Sequence, residues 1–532
     1  MKKSNPPYDV IIIGSGFGGS VSALRMAEKG YRVLVIEKGK RYGAKDFPKS
    51  NWNLRKYMWL PSLFLYGIQK LTLLKDVLVL HGTGVGGGSL VYANTHLEPP
   101  DSVFTDPRWT DNDWQDRLKP FYHLARKMLG TTPVKTTGES DHLLEQVDAE
   151  MNAQKTFYKV DVGIYFGEPE LTTRDPYFNG EGPDRTGCTY CGACMTGCPV
   201  GAKNTLDQNY LYLAEKLGAH IISEREVTGI IPTTDGYRVT TRKSTGIFHS
   251  RQTFETGKVI LSAGVLGTMT LLKKCQQKGW LPELSPQLGK YVRTNSEAIL
   301  GARVPKTHPH DLNCGIAISA GFYPDKNTHI ETVRFGKGND ALSLLTTPMV
   351  SRNGRLPAII KWIGNLIRHP VKIIRCLNPF GWAASTIILL VMQPVSNHLE
   401  LKYRKRWWRF GGKSLNSKRE TAEKIPSYIS VGDDVAKKIA DLTDGTPITS
   451  LSDVFLNVPT TAHILGGCSL SSSLDKGVVD ECGRVFNYPG LFVVDGSIIP
   501  VNLGVNPSLT ITAMAEYVMS RMEESGEIET TN

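Results

Sequence analysis

The chain has 532 residues, of which 40% are hydrophobic and 21% charged, with 52 Gly and 30 Pro. This composition excludes a collagen-like, coiled-coil or largely disordered protein, and the length predicts two to four domain-sized units. The net charge is +11, yet residues 352–420 hold 14 Lys and Arg against two acidic residues, and residues 341–399 contain no Asp or Glu. The excess positive charge is therefore a property of one segment.

The amino-terminal residues contain no targeting signal that we can identify. Two lysines are followed closely by the β-branched run Val10–Ile13, without a long apolar stretch or a cleavage site, so we expect no secretory signal. The most apolar later window, residues 383–392, is too short to cross a bilayer as a helix and predicts a buried strand. Nine cysteines, four of them clustered, are typical of a reducing compartment. We expect a cytoplasmic protein that could lie at the inner face of the membrane.

A strand, a glycine-rich turn and a helix open the chain. The turn GSGFGG has the G-x-G-x-x-G spacing of a dinucleotide site, and a second apolar strand ends at Glu37. Gly14 permits the tight turn, Gly16 lets the backbone approach a pyrophosphate, and Gly19 allows the helix to pack closely. Glu37 is placed to bind a ribose. A glycine-rich structural turn is the alternative, but it leaves Glu37 without a role.

Two more segments are typical of a nucleotide site. HGTGVGGGSLVY, residues 81–92, has more glycine than a turn requires and indicates backbone packed against a flat cofactor, although a flexible loop is the alternative. GLFVVDG, residues 490–496, predicts a strand that ends in an acid. Asn506 and Pro507 then predict an N-cap and a first helical residue. The positive end of that helix would stabilise negative charge on a cofactor ring.

The basic segment, residues 352–420, begins with RLPAIIKWIGNLIRHPVKIIRC. Its aliphatic residues recur at near-helical spacing with Lys361 and Arg368 between them, which predicts a helix that lies on an anionic membrane surface. An ordinary amphipathic helix that covers the core is the alternative. Nucleic acid is not an expected partner, because the segment is aliphatic rather than rich in stacking aromatics. The neighbouring LKYRKRWWRF predicts a strand with a solvated basic face.

Four cysteines have the spacing of a bacterial ferredoxin. Cys188, Cys191, Cys194 and Cys198, followed by Pro199, predict thiolate ligands for a [4Fe-4S] cluster. In two-cluster ferredoxins the fourth cysteine serves the other cluster, so a single cluster here needs Cys198 to fold back or a distant cysteine to replace it. Tetrahedral zinc on the same thiolates is one alternative. A loop with reduced, metal-free thiols is the other.

Several blocks in fixed order resemble the glucose-methanol-choline (GMC) flavoprotein oxidoreductases. The blocks are IIIGSGFGGSVSALRMAEKGYRVLVIEKG, GTGVGGGSLVYANT, KVILSAGVLGTMTLL, and TAHILGGC with VVDGSIIPVNLGVNPSLTITAMAE. Within the family the chain most resembles the long-type bacterial cholesterol oxidases, which share the AKNTLD segment and a basic apolar insertion. The resemblance implies FAD and an α/β fold. It implies a Rossmann-like FAD-binding domain with a parallel sheet, formed by residues 8–295 and 455–525 and containing the cysteine-rich loop at about 184–204. It also implies an inserted substrate-binding domain, residues 296–454, with a mixed or antiparallel sheet plus helices.

The resemblance also implies site residues. His463 matches the active-site histidine, which takes or holds the hydroxyl proton, and Asn506 matches its partner asparagine. Glu331 is the candidate carboxylate for moving a ring double bond, and a surface strand residue is the alternative. His81 is a conceivable point of covalent FAD attachment. The implied FAD contacts are Gly14, Gly16, Phe17, Gly19, Glu37, Gly88, Ser89, Val227, Ala263, Gly264, Asp495 and Gly496.

Three hypotheses for function follow. The first is an FAD enzyme that oxidises the 3β-hydroxyl of cholesterol or a related sterol to the ketone, with O2 as acceptor and H2O2 as product, and that could also isomerise the double bond. The second is an FAD-dependent dehydrogenase of another apolar alcohol that passes electrons through the iron-sulfur cluster to a partner. The third is a non-catalytic lipid-binding flavoprotein, which leaves His463 and Asn506 without a role.

Overall fold

The computed structural model describes residues 8–151, 154–305, 307–308, 311–351, 356–405, 413–419 and 425–525. The sequence-based interpretations of residues 1–7, and of residues 352–355, 406–412 and 420 in the basic segment, fall outside these described residues.

A five-stranded parallel sheet lies at the centre of the nucleotide-binding half. Its strands are short runs of aliphatic residues, and the first strands along the chain are buried throughout, as expected for a parallel sheet covered on both faces. In spatial order they are His220–Ile222, Val33–Ile36, Val10–Ile13, Lys258–Leu261 and Leu491–Val493. The predicted Rossmann-like sheet is confirmed, and it brings chain segments separated by hundreds of residues to one carboxyl edge.

A seven-stranded antiparallel sheet forms the second half. In order its strands are Thr346–Pro348, Thr446–Ser450, Ala298–Arg303, Thr386–Met392, Thr328–Val333, Ile318–Asp325 and Tyr158–Lys159. Thr386–Met392 is buried at every position, which confirms the buried strand expected in the apolar window 383–392. Tyr158–Lys159 and the helix Glu139–Met151 both contact Ile318–Asp325, so residues that precede position 296 also contribute to this half.

The remaining strands form small sheets and pairs. The larger ones are the antiparallel sheet Arg225–Thr233, Gly236–Lys243 and Arg251–Thr256, the sheet Thr460–Thr461, Leu78–Gly82 and Gln69–Leu73, and the hairpin Leu399–Lys405 with Lys413–Arg419. The two-residue pairs are Trp59–Leu60 with Leu65–Tyr66, Thr132–Pro133 with Asp161–Val162, and Thr172–Thr173 with Arg185–Thr186.

Helices cover both sheets. They are Phe17–Glu28, Leu54–Tyr57, Trp114–Met128, Glu139–Met151, Tyr210–Lys216, Gly264–Gln277, Ala358–Arg368, Pro370–Leu377, Ser430–Leu442, Leu451–Leu456 and Ser508–Ser520. Phe17–Glu28 packs against Ser508–Ser520, and buried residues of both helices belong to the core around the parallel sheet. In the part of the chain that the structure describes, no helix combines the length and apolar character needed to cross a bilayer.

The basic segment folds as two helices and a hairpin. Ala358–Arg368 and Pro370–Leu377 confirm the helical spacing of its first part. Leu399–Lys405 confirms the strand predicted for the described part of LKYRKRWWRF. Leu399, Leu401 and Leu415 of the hairpin are buried in the core around the parallel sheet. The hairpin is therefore anchored on the nucleotide-binding half.

Candidate active site

A cavity of about 460 Å³ is lined by residues from both sheets. One wall consists of the glycine-rich turn and other loops at the carboxyl edge of the parallel sheet. The opposite wall is apolar and comes largely from the antiparallel sheet: Ile299, Ile318, Val333, Ile388, Leu390 and Ile448. A cofactor and an apolar substrate can therefore meet in one space, and the volume lies in the range of ordinary small-molecule sites.

The glycines of the turn have different roles. A Cβ on Gly14, which has a φ of +99°, would lie 2.4 Å from the Ser262 carbonyl oxygen. A Cβ on Gly19 would lie 2.1 Å from the Gly14 carbonyl oxygen. These positions need glycine because backbone packs directly against them. A Cβ on Gly16 would meet nothing within 4 Å. Gly16 therefore borders free space at the amino terminus of Phe17–Glu28, where backbone N–H groups favour phosphate.

Glu37 is locked at the carboxyl edge of the parallel sheet. It follows the strand Val33–Ile36, is 6% exposed and lines the cavity. One carboxylate oxygen accepts a hydrogen bond from the Ser15 hydroxyl (2.9 Å) and the other from the Gly39 N–H (2.8 Å). Because the Ser15 bond ties Glu37 to the glycine-rich turn, the acid and the phosphate cradle are held in fixed relative positions.

Most of the FAD contacts implied by resemblance line the cavity, and three do not. Gly19 packs inside the turn, and Ser89 is buried beneath its loop, where its hydroxyl donates to the Gly86 carbonyl. Val227 lies outside the cavity lining, on the strand Arg225–Thr233, which begins beside Glu37. The residues that line the cavity are Gly14, Gly16, Phe17, Glu37, Gly88, Ala263, Gly264, Asp495 and Gly496. They fit FAD, because an open phosphate cradle, a fixed acid and glycine backbone surround one space.

The predicted strand is present as Leu491–Val493, and Asp495 follows two residues after its end, where it caps the short turn Gly496–Ile498. Its carboxylate accepts hydrogen bonds from the Thr268 hydroxyl (2.6 Å) and the Ser497 N–H (2.8 Å). Burial raises the pKa of Asp495, although these hydrogen bonds partly offset the effect. His81 also lines the cavity, and its Nε2 lies 3.0 Å from the Thr72 hydroxyl.

His463 lines the cavity beside a carboxylate that sequence reasoning missed. Its Nδ1 lies 3.1 Å from Glu297 Oε2, in a contact that is not a well-formed hydrogen bond and that becomes an ion pair when the imidazole is protonated. Burial alone would lower the pKa of His463, but attraction to Glu297, with a smaller contribution from Glu331, raises it above its ordinary value. The imidazole is therefore a stronger base than an isolated buried histidine.

The sequence feature that could have indicated a buried Glu297 lies in the residues just before it. Residues 293–297, with the sequence RTNSE, are polar and read as a surface loop, yet each is at most 1% exposed. Asn295 and Ser296 both have positive φ, which fits a backbone forced into a tight buried turn. A run of polar residues directly before the apolar strand Ala298–Arg303 was the only sequence cue.

Asn506 and Glu331 meet behind the cavity wall. Asn506 lines the cavity and its Nδ2 donates a hydrogen bond to Glu331 Oε2 over 3.1 Å. Glu331 is fully buried on the strand Thr328–Val333 and is not part of the cavity lining. The alternative that Glu331 is a surface residue is wrong. Burial raises the pKa of Glu331 to about 8, against the opposing influence of Asn506 and His463.

The predicted N-cap at Asn506 is wrong. The helix begins at Ser508, Pro507 occupies the N-cap position, and no side chain caps the helix. The reason is that the Asn506 amide is turned toward Glu331 instead of back toward its own helix. Its Oδ1 is buried and has no hydrogen-bond partner among the described residues, which leaves it for a bound group.

The cysteine loop, residues 188–198, lies beside this site. Cys188, Cys191, Cys194 and Cys198 all line a second, smaller cavity. Met195, next to one of these cysteines, lines the main cavity. The short turn Ala193–Thr196 therefore separates the two spaces.

Comparison with known proteins agrees with this arrangement. Family models described as GMC oxidoreductase match residues 182–276 and 416–515, and one described as FAD binding domain matches residues 9–47. A cholesterol oxidase of Acinetobacter baumannii is 44% identical, and the match covers 98% of this chain and 95% of that one. A cholesterol oxidase of Mycobacterium tuberculosis is also 44% identical, over 98% of this chain and 92% of the relative.

More distant proteins share the fold. A long-chain-alcohol oxidase of Arabidopsis thaliana is 24% identical over 97% of this chain and 67% of its own length. The crystal structure of pyridoxine 4-oxidase from Mesorbium loti superposes with a TM-score of 0.60 at 14% identity, covering 96% of this chain and 98% of that chain. The chain therefore belongs to the GMC oxidoreductase family and is an FAD-dependent alcohol oxidoreductase.

Proposed function

We propose that this enzyme oxidises the 3β-hydroxyl of cholesterol or a related sterol to the ketone, with O2 as the acceptor and H2O2 as the product. The observation that carries the proposal is the shared cavity, which is lined by His463 and Asn506 together with the FAD-binding loops and the apolar residues of the antiparallel sheet. The 44% identity to cholesterol oxidases supports a sterol in particular. FAD, when bound, supplies the hydride acceptor that alcohol oxidation requires.

His463 is the proposed base for the hydroxyl proton. It lines the cavity, and Glu297 stabilises the imidazolium that forms when the ring takes a proton. Asn506 orients the hydroxyl, because its unpaired Oδ1 can accept a hydrogen bond without adding charge. The non-catalytic hypothesis gives these side chains no role, and membership in a family of oxidoreductases speaks against it.

Isomerisation of the double bond is a further proposed step, for which Glu331 is the candidate. The raised pKa of about 8 suits a carboxyl that exchanges a carbon-bound proton near neutral pH. Glu331 Oε1 is buried without a hydrogen-bond partner among the described residues, but Asn506 stands between the carboxyl and the cavity. Glu331 can therefore reach a steroid ring only after the Asn506 side chain turns aside.

The helices of the basic segment support a membrane partner. No residue of Ala358–Arg368 is buried, which argues against the alternative that this helix covers a core. Ile367 is 75% exposed and Ile374 is 64% exposed, far more than expected of aliphatic residues on a closed surface. We name this surface the exposed helical face; its apolar members are Ile359, Ile360, Ile363, Ile367, Val371 and Ile374.

The exposed helical face is linked to the cavity wall. The Trp362 Nε1 donates to the Thr347 hydroxyl (2.7 Å), and its ring lies 5.1 Å from that of Phe455, centre to centre. Phe455 belongs to the helix Leu451–Leu456, whose end residues line the cavity. We propose that the face lies on an anionic membrane, where apolar burial and attraction to lipid headgroups add, and that the sterol enters from the bilayer.

A second candidate function uses another acceptor. The cysteine loop borders the main cavity through Met195, which favours a dehydrogenase that passes electrons to a partner protein. Both candidates share the same alcohol oxidation and differ only in where the electrons leave. An oxygen electrode separates them, because only the oxidase consumes O2 in step with ketone formation.

The first test is an anaerobic absorption spectrum of the FAD-loaded chain before and after addition of cholesterol. We expect the flavin band to bleach, and to remain in a His463→Ala variant that keeps its FAD. A long-chain primary alcohol serves as the matched apolar control. If that alcohol bleaches the band and cholesterol does not, the sterol assignment is overturned while the family assignment stands.

A further inference from the structure

The cysteine loop brings its four cysteines to one place, which their spacing alone did not decide. Cys188, Cys194 and Cys198 are buried, Cys191 is exposed, and all four line one small cavity. Cys198 folds back because Gly197 and Cys198 both adopt positive φ, +106° and +67°. A left-handed conformation at a non-glycine residue costs free energy and persists where the surroundings or a ligand require it.

A single metal ion and a cluster make different demands on the four thiols. Among the described residues, no group of three or more His, Cys, Asp or Glu is placed to hold one metal ion. Tetrahedral zinc requires four sulfurs about 2.3 Å from a common point. A [4Fe-4S] cubane places irons and sulfides between its cysteines, each of which binds a different iron, so its ligands stand further apart around one centre.

A buried lysine borders the same cavity. Lys203 is 2% exposed, and its Nζ donates to the carbonyl oxygens of Leu90 (3.2 Å), Tyr92 (2.9 Å) and Cys194 (2.8 Å). These three bonds hold the cysteine loop against residues 90–92, which belong to the glycine-rich segment beside the main cavity.

The backbone is also arranged for sulfur ligands. The Tyr190 N–H donates a hydrogen bond of 3.4 Å to Cys188 Sγ. Hydrogen bonds of this kind to cysteine sulfur are one means by which proteins set the potential of an iron-sulfur cluster. Tyr190 itself has a positive φ of 56°, so the loop holds an unfavourable conformation at a residue that makes such a bond.

We propose that Cys188, Cys191, Cys194 and Cys198 ligate one [4Fe-4S] cluster. Tyr92 and Met195 line the main cavity, and Lys203 Nζ lies 4.7 Å from the centre of the Tyr92 ring. The cluster is thus one layer of side chains from the FAD-binding space. A cubane changes by one electron at a time. In the second candidate function, where a partner protein replaces O2 as the acceptor, the two electrons from each alcohol would therefore leave in two steps to a one-electron carrier. The proposal that these four cysteines hold a cluster does not depend on which alcohol the enzyme oxidises.

The test is the metal content of the full chain purified without oxygen. Iron, acid-labile sulfide, zinc and FAD are measured in the same sample, followed by low-temperature electron paramagnetic resonance after reduction with dithionite. We expect about four irons and about four sulfides per chain and a signal from the reduced cluster. About one zinc per chain, or FAD-loaded chain that takes up no iron even after anaerobic reconstitution with iron and sulfide, overturns the proposal.

Two cysteine variants sharpen this test. Cys194→Ser removes a buried ligand and should lose most of the iron. Cys314→Ser removes an exposed thiol next to Gly315, which borders the same cavity, and this variant should keep all of its iron. Iron that stays unchanged in Cys194→Ser contradicts the proposed ligand set. If Cys194→Ser does not fold, the metal content of the unaltered chain alone tests the proposed cluster. FAD content and sterol oxidation are measured separately, so failure of the proposed oxidase can be distinguished from absence of the cluster.

Discussion

Glu297 Oε2 lies 3.1 Å from His463 Nδ1, and the same carboxylate is tied to the backbone that carries the histidine. It accepts hydrogen bonds from the Thr461 hydroxyl (2.8 Å) and the Ala462 N–H (3.1 Å). The acid is therefore fixed relative to the imidazole; Glu297 is fully buried and His463 half-buried, and both line the cavity. In this arrangement Glu297 is a positioning residue that also sets the basicity of His463.

Replacing Glu297 by Gln should shift the pH dependence of the reaction. Attraction to Glu297 raises the pKa of His463, so removing the charge should lower that pKa. A histidine must be neutral to accept a proton, and the acidic limb of kcat/KM against pH should therefore move to lower pH. The fall in kcat should be smaller than the about 10²–10⁴-fold loss expected on removal of His463.

The control for this variant is Glu255→Gln, which changes an exposed carboxylate that pairs with Arg238. Its pH profile should match that of the unaltered chain. The role assigned to Glu297 would be refuted by an acidic limb that stays in place in Glu297→Gln.

Replacing Glu331 by Gln should separate oxidation from isomerisation. A Gln side chain can still accept the hydrogen bond from Asn506 but cannot exchange a proton. We therefore expect the steroid ketone to form with its double bond unmoved. Product analysis by ultraviolet absorbance distinguishes the conjugated ketone from the unconjugated one. Full formation of the conjugated ketone by Glu331→Gln would eliminate Glu331 as the shuttle.

The same substitution should change the pH dependence of stability. The pKa of Glu331 rises from 4.5 to about 8 on folding, so the folded state binds the proton more tightly between these values. Stability of the unaltered chain should therefore fall as pH rises through this window, by at most about 5 kcal/mol from this one group. The melting temperature of Glu331→Gln minus that of the unaltered chain should therefore increase from pH 5 to pH 8. A pH-independent difference between the two would contradict the buried, protonated carboxyl.

The glycine-rich turn offers a matched pair of substitutions. A Cβ on Gly18 would lie 1.7 Å from the Val494 carbonyl oxygen, whereas one on Gly16 would meet nothing. Gly18→Ala should therefore destabilise the protein even without FAD, because the helix must move away from the sheet. Gly16→Ala should leave the apoprotein's melting temperature nearly unchanged and weaken FAD binding. Equal melting temperatures of the two apoproteins would count against this packing.

Charge on the exposed helical face should control membrane binding. Lys372→Gln with Arg375→Gln removes two cations, each worth about 1 kcal/mol near an anionic surface, so vesicle affinity should fall about 30-fold. Lys437→Gln with Lys438→Gln removes the same charge from the helix Ser430–Leu442 and should have little effect. Flotation with phosphatidylserine vesicles at low and at high salt measures both. Equal binding of the two double variants would refute the proposed docking face.

Local patterns allowed much of the fold to be predicted. The turn after Val10–Ile13, the acid at Glu37 and the buried strand Thr386–Met392 are each encoded within a few consecutive residues. Glycine conformation, β-branched runs and helical spacing act over such short distances, so they can be recognised before the chain folds. His463 and Asn506 were found because each lies in a distinctive motif of the family.

Contacts between distant segments decided the rest. Glu297 and His463 are far apart in the chain, and no local pattern marks a carboxylate that is stabilised only by a buried partner. Whether Glu331 is buried, and whether Cys198 returns to the other cysteines, depends on which strands and loops pack around them. The exposed helical face is amphipathic in sequence, but only the tertiary structure decides whether a core covers it. The sequence determined the local elements and the cofactor motif, whereas burial, charge pairing and exposure arise from packing of the whole chain.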